Sequence, residues 1–169
     1  MTPILQTDRL LIAQLTINDA SFIFELTNSP GWLQYIGDRG IKTIADAENY
    51  IITSPMASYA KNGYGLYLVL LKENETPLGI CGLIKRDTLE NEDIGFAFLP
   101  QYTGKGYAYE AASAIMQYEI EKHKLKKILA ITLEDNQPSV GLLKKLGLVF
   151  HKKITLPPKN EELLLFTTV

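Results

Sequence analysis

Between residues 64 and 72 almost every position is apolar. Tyr67, Val69 and Leu71 fall on one face of a strand and Leu66, Leu68 and Leu70 on the other, so both faces of that strand should be covered. Shorter runs of the same kind predict strands over residues 7–15, 77–86, 92–99, 128–133, 149–154 and 163–168. Helical spacing takes over elsewhere. A helix starting at Thr16 to Ala20 buries Phe22, Ile23 and Leu26 and stops before Pro30. A second runs over residues 44–61 with a break near Ser54-Pro55. A third, from Tyr107 to His123, buries Ala108, Ala111, Ala112, Ile115, Met116 and Ile120. A short fourth begins around Asn136-Gln137-Pro138 and ends at Gly147. Residues 32–40, with Trp32 and Tyr35, read as irregular after the turn signal Ser29-Pro30-Gly31.

About seven strands and four helices result, mostly linked as hairpins. The exception is the third helix, which crosses from the strand ending at Leu99 to the strand starting near Lys127; those two strands should be parallel. The fold class is therefore α/β (α+β), with a mixed, mostly antiparallel sheet in a single domain over residues 1–169. Ligands are expected at the carboxyl end of such a parallel pair.

Composition narrows the function. Charged residues are 21% and apolar residues 46% of the 169, with a net charge of −2. That balance fits a globular protein and gives no broad cationic face for nucleic acid. No uncharged run is long enough to span a membrane. Asp8 and Arg9 stand where a secretory leader would need an apolar core. The single cysteine, Cys81, forms no internal disulfide and reads as a small buried side chain, which suits a cytoplasmic location. His123 and His151 have no ligand-spaced neighbours, so no metal site is expected.

The chemistry concentrates in Gln101-Tyr102-Thr103-Gly104-Lys105-Gly106-Tyr107, between the strand ending at Leu99 and the third helix. A glycine-bearing turn into a helix can aim successive N–H groups at one anion, and the helix dipole adds to them. The nucleoside-triphosphate loop and the dinucleotide fingerprint are both absent. What stands there, Gln-x-x-Gly-x-Gly-Tyr-Ala, resembles the acyl-coenzyme A loop of the GNAT acetyltransferases. Thr7-Asp8-Arg9-Leu10, Asp93-Ile94-Gly95-Phe96 and Asn136-x-x-Ser139 with Leu146-Gly147-Leu148 behind it are similar to motifs of the RimJ/RimL-like branch, which acetylates ribosomal-protein N-termini.

The resemblance spans nearly the whole chain and implies a seven-stranded sheet flanked by about four helices, with a splayed parallel pair. It implies acetyl-CoA as cosubstrate, held by backbone of Phe98, Leu99 and Gln101 through Tyr107, with Asn136 on the pantetheine arm and Ser139 by the sulfur. It implies an amine acceptor, with Trp32, Tyr35 and the loop over residues 154–162 shaping its pocket, and a homodimer by family habit. Two positions depart from the pattern. Leu143 stands where many members have the tyrosine that protonates the thiolate, and Ala13 where the branch often has arginine. Ser139 or water then becomes the candidate acid. Asp93 and Glu92 are candidate bases acting through water.

A thiol has a pKa of about 8.5, so its thiolate leaves readily near neutrality. An α-amine, at about 7.7–8, needs roughly 3 kcal/mol less help from a base than lysine at about 10.4. The resemblance thus reads as an N-acetyltransferase acting on a peptide α-amine or another low-pKa amine. A non-catalytic acyl-CoA sensor of the same fold, and an unrelated nucleotide-binding α/β protein, are the competing readings.

Overall fold

The structure, a computed structural model, describes residues 1–169. One eight-stranded sheet carries the fold: β1 (Pro3–Gln6), β2 (Leu10–Gln14), β3 (Leu66–Leu71), β4 (Pro77–Ile84), β5 (Asp93–Phe98), β6 (Leu129–Thr132), β7 (Val149–Leu156) and β8 (Glu161–Thr167). Their order is β1-β2-β3-β4-β5-β6-β8-β7. All neighbours are antiparallel except β5 and β6, which are parallel as the crossover requires. The eighth strand is β1, four residues pairing with β2 at the sheet edge. Pro3 suits that position, because an edge strand needs no N–H on its open side.

Six helical segments flank the sheet: α1 (Ala20–Thr27), α2 (Pro30–Tyr35), α3 (Ile44–Ile51), α4 (Ala57–Asn62), α5 (Tyr107–His123) and α6 (Gln137–Lys145). A π-helical turn, Ile52–Met56, joins α3 to α4 around Pro55. The wider turn accommodates a ring that has no N–H to give the ladder. The two therefore act as one interrupted helix and the sheet has five flanking helices. Thr43 and Asp46 form a capping box at the start of α3, and Gly63 (φ +80°) ends α4 in a left-handed conformation. The stretch expected to be irregular is partly the helix α2, which begins with Pro30 at its first position and contains both Trp32 and Tyr35. Proline there is prearranged for the first turn rather than breaking it.

The core has two halves, one on each face of the sheet. α5 and α6 press Ala111, Ala112, Ile115, Met116, Val140 and Leu143 against Leu10, Ile12, Tyr67, Val69 and Leu83. α1 to α3 press Ile23, Leu26, Trp32, Ala47 and Ile51 against Leu11, Ala13, Leu68, Leu70 and Ile80. The alanines early in α5 let it approach the sheet closely. Its apolar stripe also contains Glu119, which is fully buried. That carboxylate accepts the Tyr67 hydroxyl at 2.5 Å and sits 3.0 Å from His123 Nε2. Glu119 Oε2 and His123 Nε2 have no other partner.

Candidate active site

β5 and β6 pair at one register position, Asp93 opposite Leu129, fixed by the Leu129 N–H donating to the Glu92 carbonyl at 2.8 Å. Beyond it β5 continues to Phe98 and β6 to Thr132 with no ladder between them. Gly95, Phe96, Ala97 and Phe98 are only half-buried although β5 lies inside the sheet. The Leu99 N–H bonds Leu78 in β4. Alternation along the strand then turns the main-chain groups of Phe98 and Phe96 toward the gap. The result is a fork with free hydrogen-bonding groups along one side.

The fork opens onto the turn that leads into α5. Gly104 (φ +74°) and Gly106 (φ +83°) both adopt the left-handed region, which the turn needs and side chains disfavour. A Cβ at Gly104 would meet nothing within 4 Å. Six successive N–H groups, from Gly104 to Tyr109, have no protein acceptor: α5 has no side-chain cap, and its first bond is Glu110 N–H to Gly106. Tyr102 and Thr103 instead spend their N–H groups on Leu99 and Pro100. Gln101, Thr103 and Lys105 are exposed, and Tyr102 packs beneath the turn against both halves of the core.

α6 supplies the other side of the fork. Asn136 is its N-cap, and its Oδ1 accepts the Ser139 N–H at 3.4 Å. The Ser139 hydroxyl has no protein partner and is half-buried. Leu143 is buried in the core behind it, so the departure from the family tyrosine is an apolar packing choice. Replacing Asn136 with alanine removes a cap worth about 1 kcal/mol. The expected result is a melting temperature lower by about 2–4 °C in calorimetry, together with a raised KM for acetyl-CoA.

The two candidate bases turn to opposite faces. Asp93 is 1% exposed and bound to Arg86 at 2.9 Å. Burial raises its pKa, and the Arg86 guanidinium opposes that shift. Glu92 receives the Tyr64 hydroxyl on Oε1 at 2.9 Å, beside α5, which leaves only Oε2 open. Asp93 is thus committed to Arg86 at the closed end of the fork, about 16 Å of strand from Phe98 at 3.3 Å per residue. Burial also pushes the Cys81 thiol up, in keeping with a small core side chain rather than a nucleophile.

Trp32 and Tyr35 lie on α2, on the face opposite α5. Trp32 is 5% exposed, and its indole N–H is buried without a partner. Tyr35 is partly exposed. The tip of the β7–β8 hairpin reaches the end of α2, where Lys159 Nζ donates to the Ile36 carbonyl at 3.1 Å. A separate groove of about 460 Å³ runs along the hairpin toward the closed end of the fork, lined by Leu89, Asn91, Leu129, His151, Ile154 and Leu165, and neither Trp32 nor Tyr35 lines it.

Sequence reasoning left Arg9 and Glu110 without roles. They meet beside the turn, 101 residues apart in sequence, with Arg9 Nε 2.7 Å from Glu110 Oε2. Burial alone would raise the Glu110 pKa. The hydrogen bonds of Thr7 and Arg9 and the guanidinium charge outweigh it and hold the carboxyl below its usual range.

The forked parallel pair and the N–H-lined turn at its mouth are the architecture of an acyl-coenzyme A transferase. A family model described as the acetyltransferase (GNAT) domain matches residues 9–149, and the chain belongs to the GNAT family. It is an acetyl-CoA-dependent N-acetyltransferase. It is 31% identical over 158 residues to the uncharacterised N-acetyltransferase YnaD of Bacillus subtilis (strain 168), covering 92% of this chain and 89% of YnaD. A GNAT-family acetyltransferase structure from Bacillus anthracis matches with a TM-score of 0.81 and 26% identity, over 97% of this chain and 96% of the other. RimL, a ribosomal L7/L12 alpha-N-protein acetyltransferase solved with coenzyme A, matches with a TM-score of 0.85 over 99% and 98% of the two chains. At 12% identity that likeness shows the fold alone. The residues here fit acetyl-CoA: the unpartnered N–H groups suit a diphosphate, and the open side of Gly104 leaves it room.

Proposed function

We propose that this enzyme acetylates a low-pKa primary amine, a peptide or small-molecule α-amine, by direct attack within a ternary complex. The observation that carries the reading is the run of six N–H groups without acceptors, Gly104 to Tyr109, where β5 leaves β6. Acetyl-CoA supplies an activated thioester. The N–H groups of that run, with Gln101, Tyr102 and Thr103 shaping the approach, hold the diphosphate. The main chain of Phe98 and Leu99 lines the pantetheine path, and Asn136 offers its free Nδ2 from the far side of the fork. The outward N–H of Phe98 suits the developing oxyanion.

Proton handling is where the amine class enters. Asp93 is tied to Arg86 and sealed, and Glu92, one residue further toward the closed end, is bound to Tyr64; neither carboxylate lies at the mouth of the fork, so the amine gives up its proton to water. With so little base available, an α-amine is the favoured nucleophile and lysine is not. The acceptor approaches from the α2 side, where the tip of the β7–β8 hairpin meets the end of α2, with Trp32 and Tyr35 on that helix. Ser139 serves the departing thiolate. Because that thiolate is already a good leaving group, Ser139→Ala should lower kcat by less than about tenfold, measured as thiol release. A hundredfold loss would make Ser139 the indispensable acid.

The amine class is tested by following coenzyme A release across amino acids, polyamines, aminoglycosides and N-terminal peptides. Turnover is expected with α-amines at neutral pH. Turnover with lysine side chains alone would overturn the reading, and tight binding with no release anywhere would return the sensor. We also place the enzyme in the cytoplasm: Cys81 is buried and unpaired, and no helix is long and apolar enough to cross a membrane.

A further inference from the structure

We propose that Thr7, Arg9 and Glu110 form a brace that sets the orientation of the acetyl-CoA loop, with Arg9 as a positioning residue for cosubstrate binding. This rests on the reading of residues 101–107 as the diphosphate site. Arg9 leaves the turn between β1 and β2, and its side chain touches the loop and helix start in three places and crowds a fourth. Its Nη1 donates to the Lys105 carbonyl at 3.0 Å, and its Nε donates to Glu110 Oε2 at 2.7 Å. Its guanidinium lies 4.5 Å from the Tyr107 ring centre, and its Nη2 is 3.2 Å from where a Gly106 Cβ would stand. The Arg9 N–H and the Thr7 hydroxyl both donate to Glu110 Oε1, at 2.9 and 2.6 Å. Thr7 Oγ1 in turn accepts the Leu10 N–H at 3.0 Å, tying the brace to β2.

Two physical consequences follow for the loop. A trans peptide points its C=O and N–H in opposite directions. Holding the Lys105 carbonyl on the Arg9 side therefore turns the Gly106 N–H away from Arg9, which keeps one donor of the run free for the ligand. Without that hold, the peptide between two left-handed glycines is free to rotate. The second consequence is electrostatic. Glu110 lies in the first turn of a helix whose N-terminus receives an anion, and an unpaired carboxylate there repels a diphosphate. The Arg9 guanidinium cancels that charge and leaves the dipole to act. Arginine suits both jobs because its planar fork engages a carbonyl and a carboxylate at once; lysine offers the charge without the fork.

The test measures KM for acetyl-CoA, KM for the amine, kcat and melting temperature for Arg9→Ala, Arg9→Lys, Arg9→Ala/Glu110→Gln and Gly104→Val. Arg9→Ala should raise the acetyl-CoA KM by about tenfold or more, the equivalent of one charge-assisted hydrogen bond. The amine KM and the kcat at saturating acetyl-CoA should stay near wild type. Arg9→Lys should recover only part of the loss, and adding Glu110→Gln to Arg9→Ala should also recover part, through removal of the stranded charge. A purely structural role would lower the melting temperature and disturb both KM values together, and that overturns the proposal. An acetyl-CoA KM unchanged in Arg9→Ala also overturns it, provided Gly104→Val loses binding. If Gly104→Val binds normally as well, the loop is not the diphosphate site and both readings fall. Should Arg9→Ala not fold, Thr7→Val removes one hydrogen bond of the brace and should give a smaller rise in the same KM alone; no rise overturns the brace.

Discussion

Replacing Gly104 with valine should raise the KM for acetyl-CoA roughly a hundredfold with little change in melting temperature. The backbone at Gly104 is left-handed, at φ +74°. A β-branched residue there costs about 1–2 kcal/mol and favours relaxation of the turn to negative φ. Relaxation reorients the peptides that carry the free N–H groups, and losing one such donor to a phosphate forfeits about 1.5–3 kcal/mol. Together these approach 3 kcal/mol, which is about a hundredfold in affinity. No protein atom lies within 4 Å of the added Cβ, so the fold has nothing to collide with. Gly106 is a less clean site, because a side chain there presses on Arg9 at 3.2 Å. Steady-state kinetics with calorimetric melting decides the matter. A KM within threefold of wild type, with the fold intact, would remove the diphosphate from this turn. The effect should also exceed that of Ser139→Ala, because positioning dominates a transfer whose leaving group needs little help.

Glu119→Ala should be the most destabilising single change on α5. The side chain is fully buried and serves the Tyr67 hydroxyl and His123 at once. Alanine leaves a buried phenol and a histidine nitrogen without a partner and opens a cavity. Unsatisfied buried groups cost about 1–3 kcal/mol each, so a total near 3–4 kcal/mol is expected. At about 2–4 °C per kcal/mol for a chain of this size, the melting temperature should fall by roughly 6–16 °C. Glu119→Gln should lose much less, since its amide oxygen still accepts from Tyr67. A fall below about 2 °C in Glu119→Ala would mean that the network contributes nothing net. The network matters to the site because it locks α5 onto β3, and the last three free N–H groups, Tyr107 to Tyr109, lie in the first turn of α5.

These two residues differ in how far the sequence reveals them. Gly104 stands in a strand–turn–helix pattern that is local, so its turn conformation was legible from Ile94 to Ala108, and the anion-binding role proposed for it rests on that same pattern. Glu119 follows Met116 by three and Ile115 by four, on the apolar stripe of α5, and that spacing was the available signal. A charged residue at such a position reads as surface until its partners on β3 are known. Trp32 and Tyr35 were misread locally: Pro30 looked like a terminator and is a first helical residue. The short edge strand β1 carried too few residues to stand out before it paired with β2.

By itself, the sequence determined the order of seven of the eight strands and of every helix but α2, the parallel crossover, the extent of α5 and the family to which the chain belongs. These depend on periodicity and on motifs only a few residues long. Tertiary structure alone decided how far β5 and β6 pair, that Asp93 is sealed against Arg86, and that Arg9 reaches Glu110 and the Lys105 carbonyl across about a hundred residues. The reason is physical: a hydrogen bond or ion pair is fixed by separation in space, and separation along the chain carries almost no information about it.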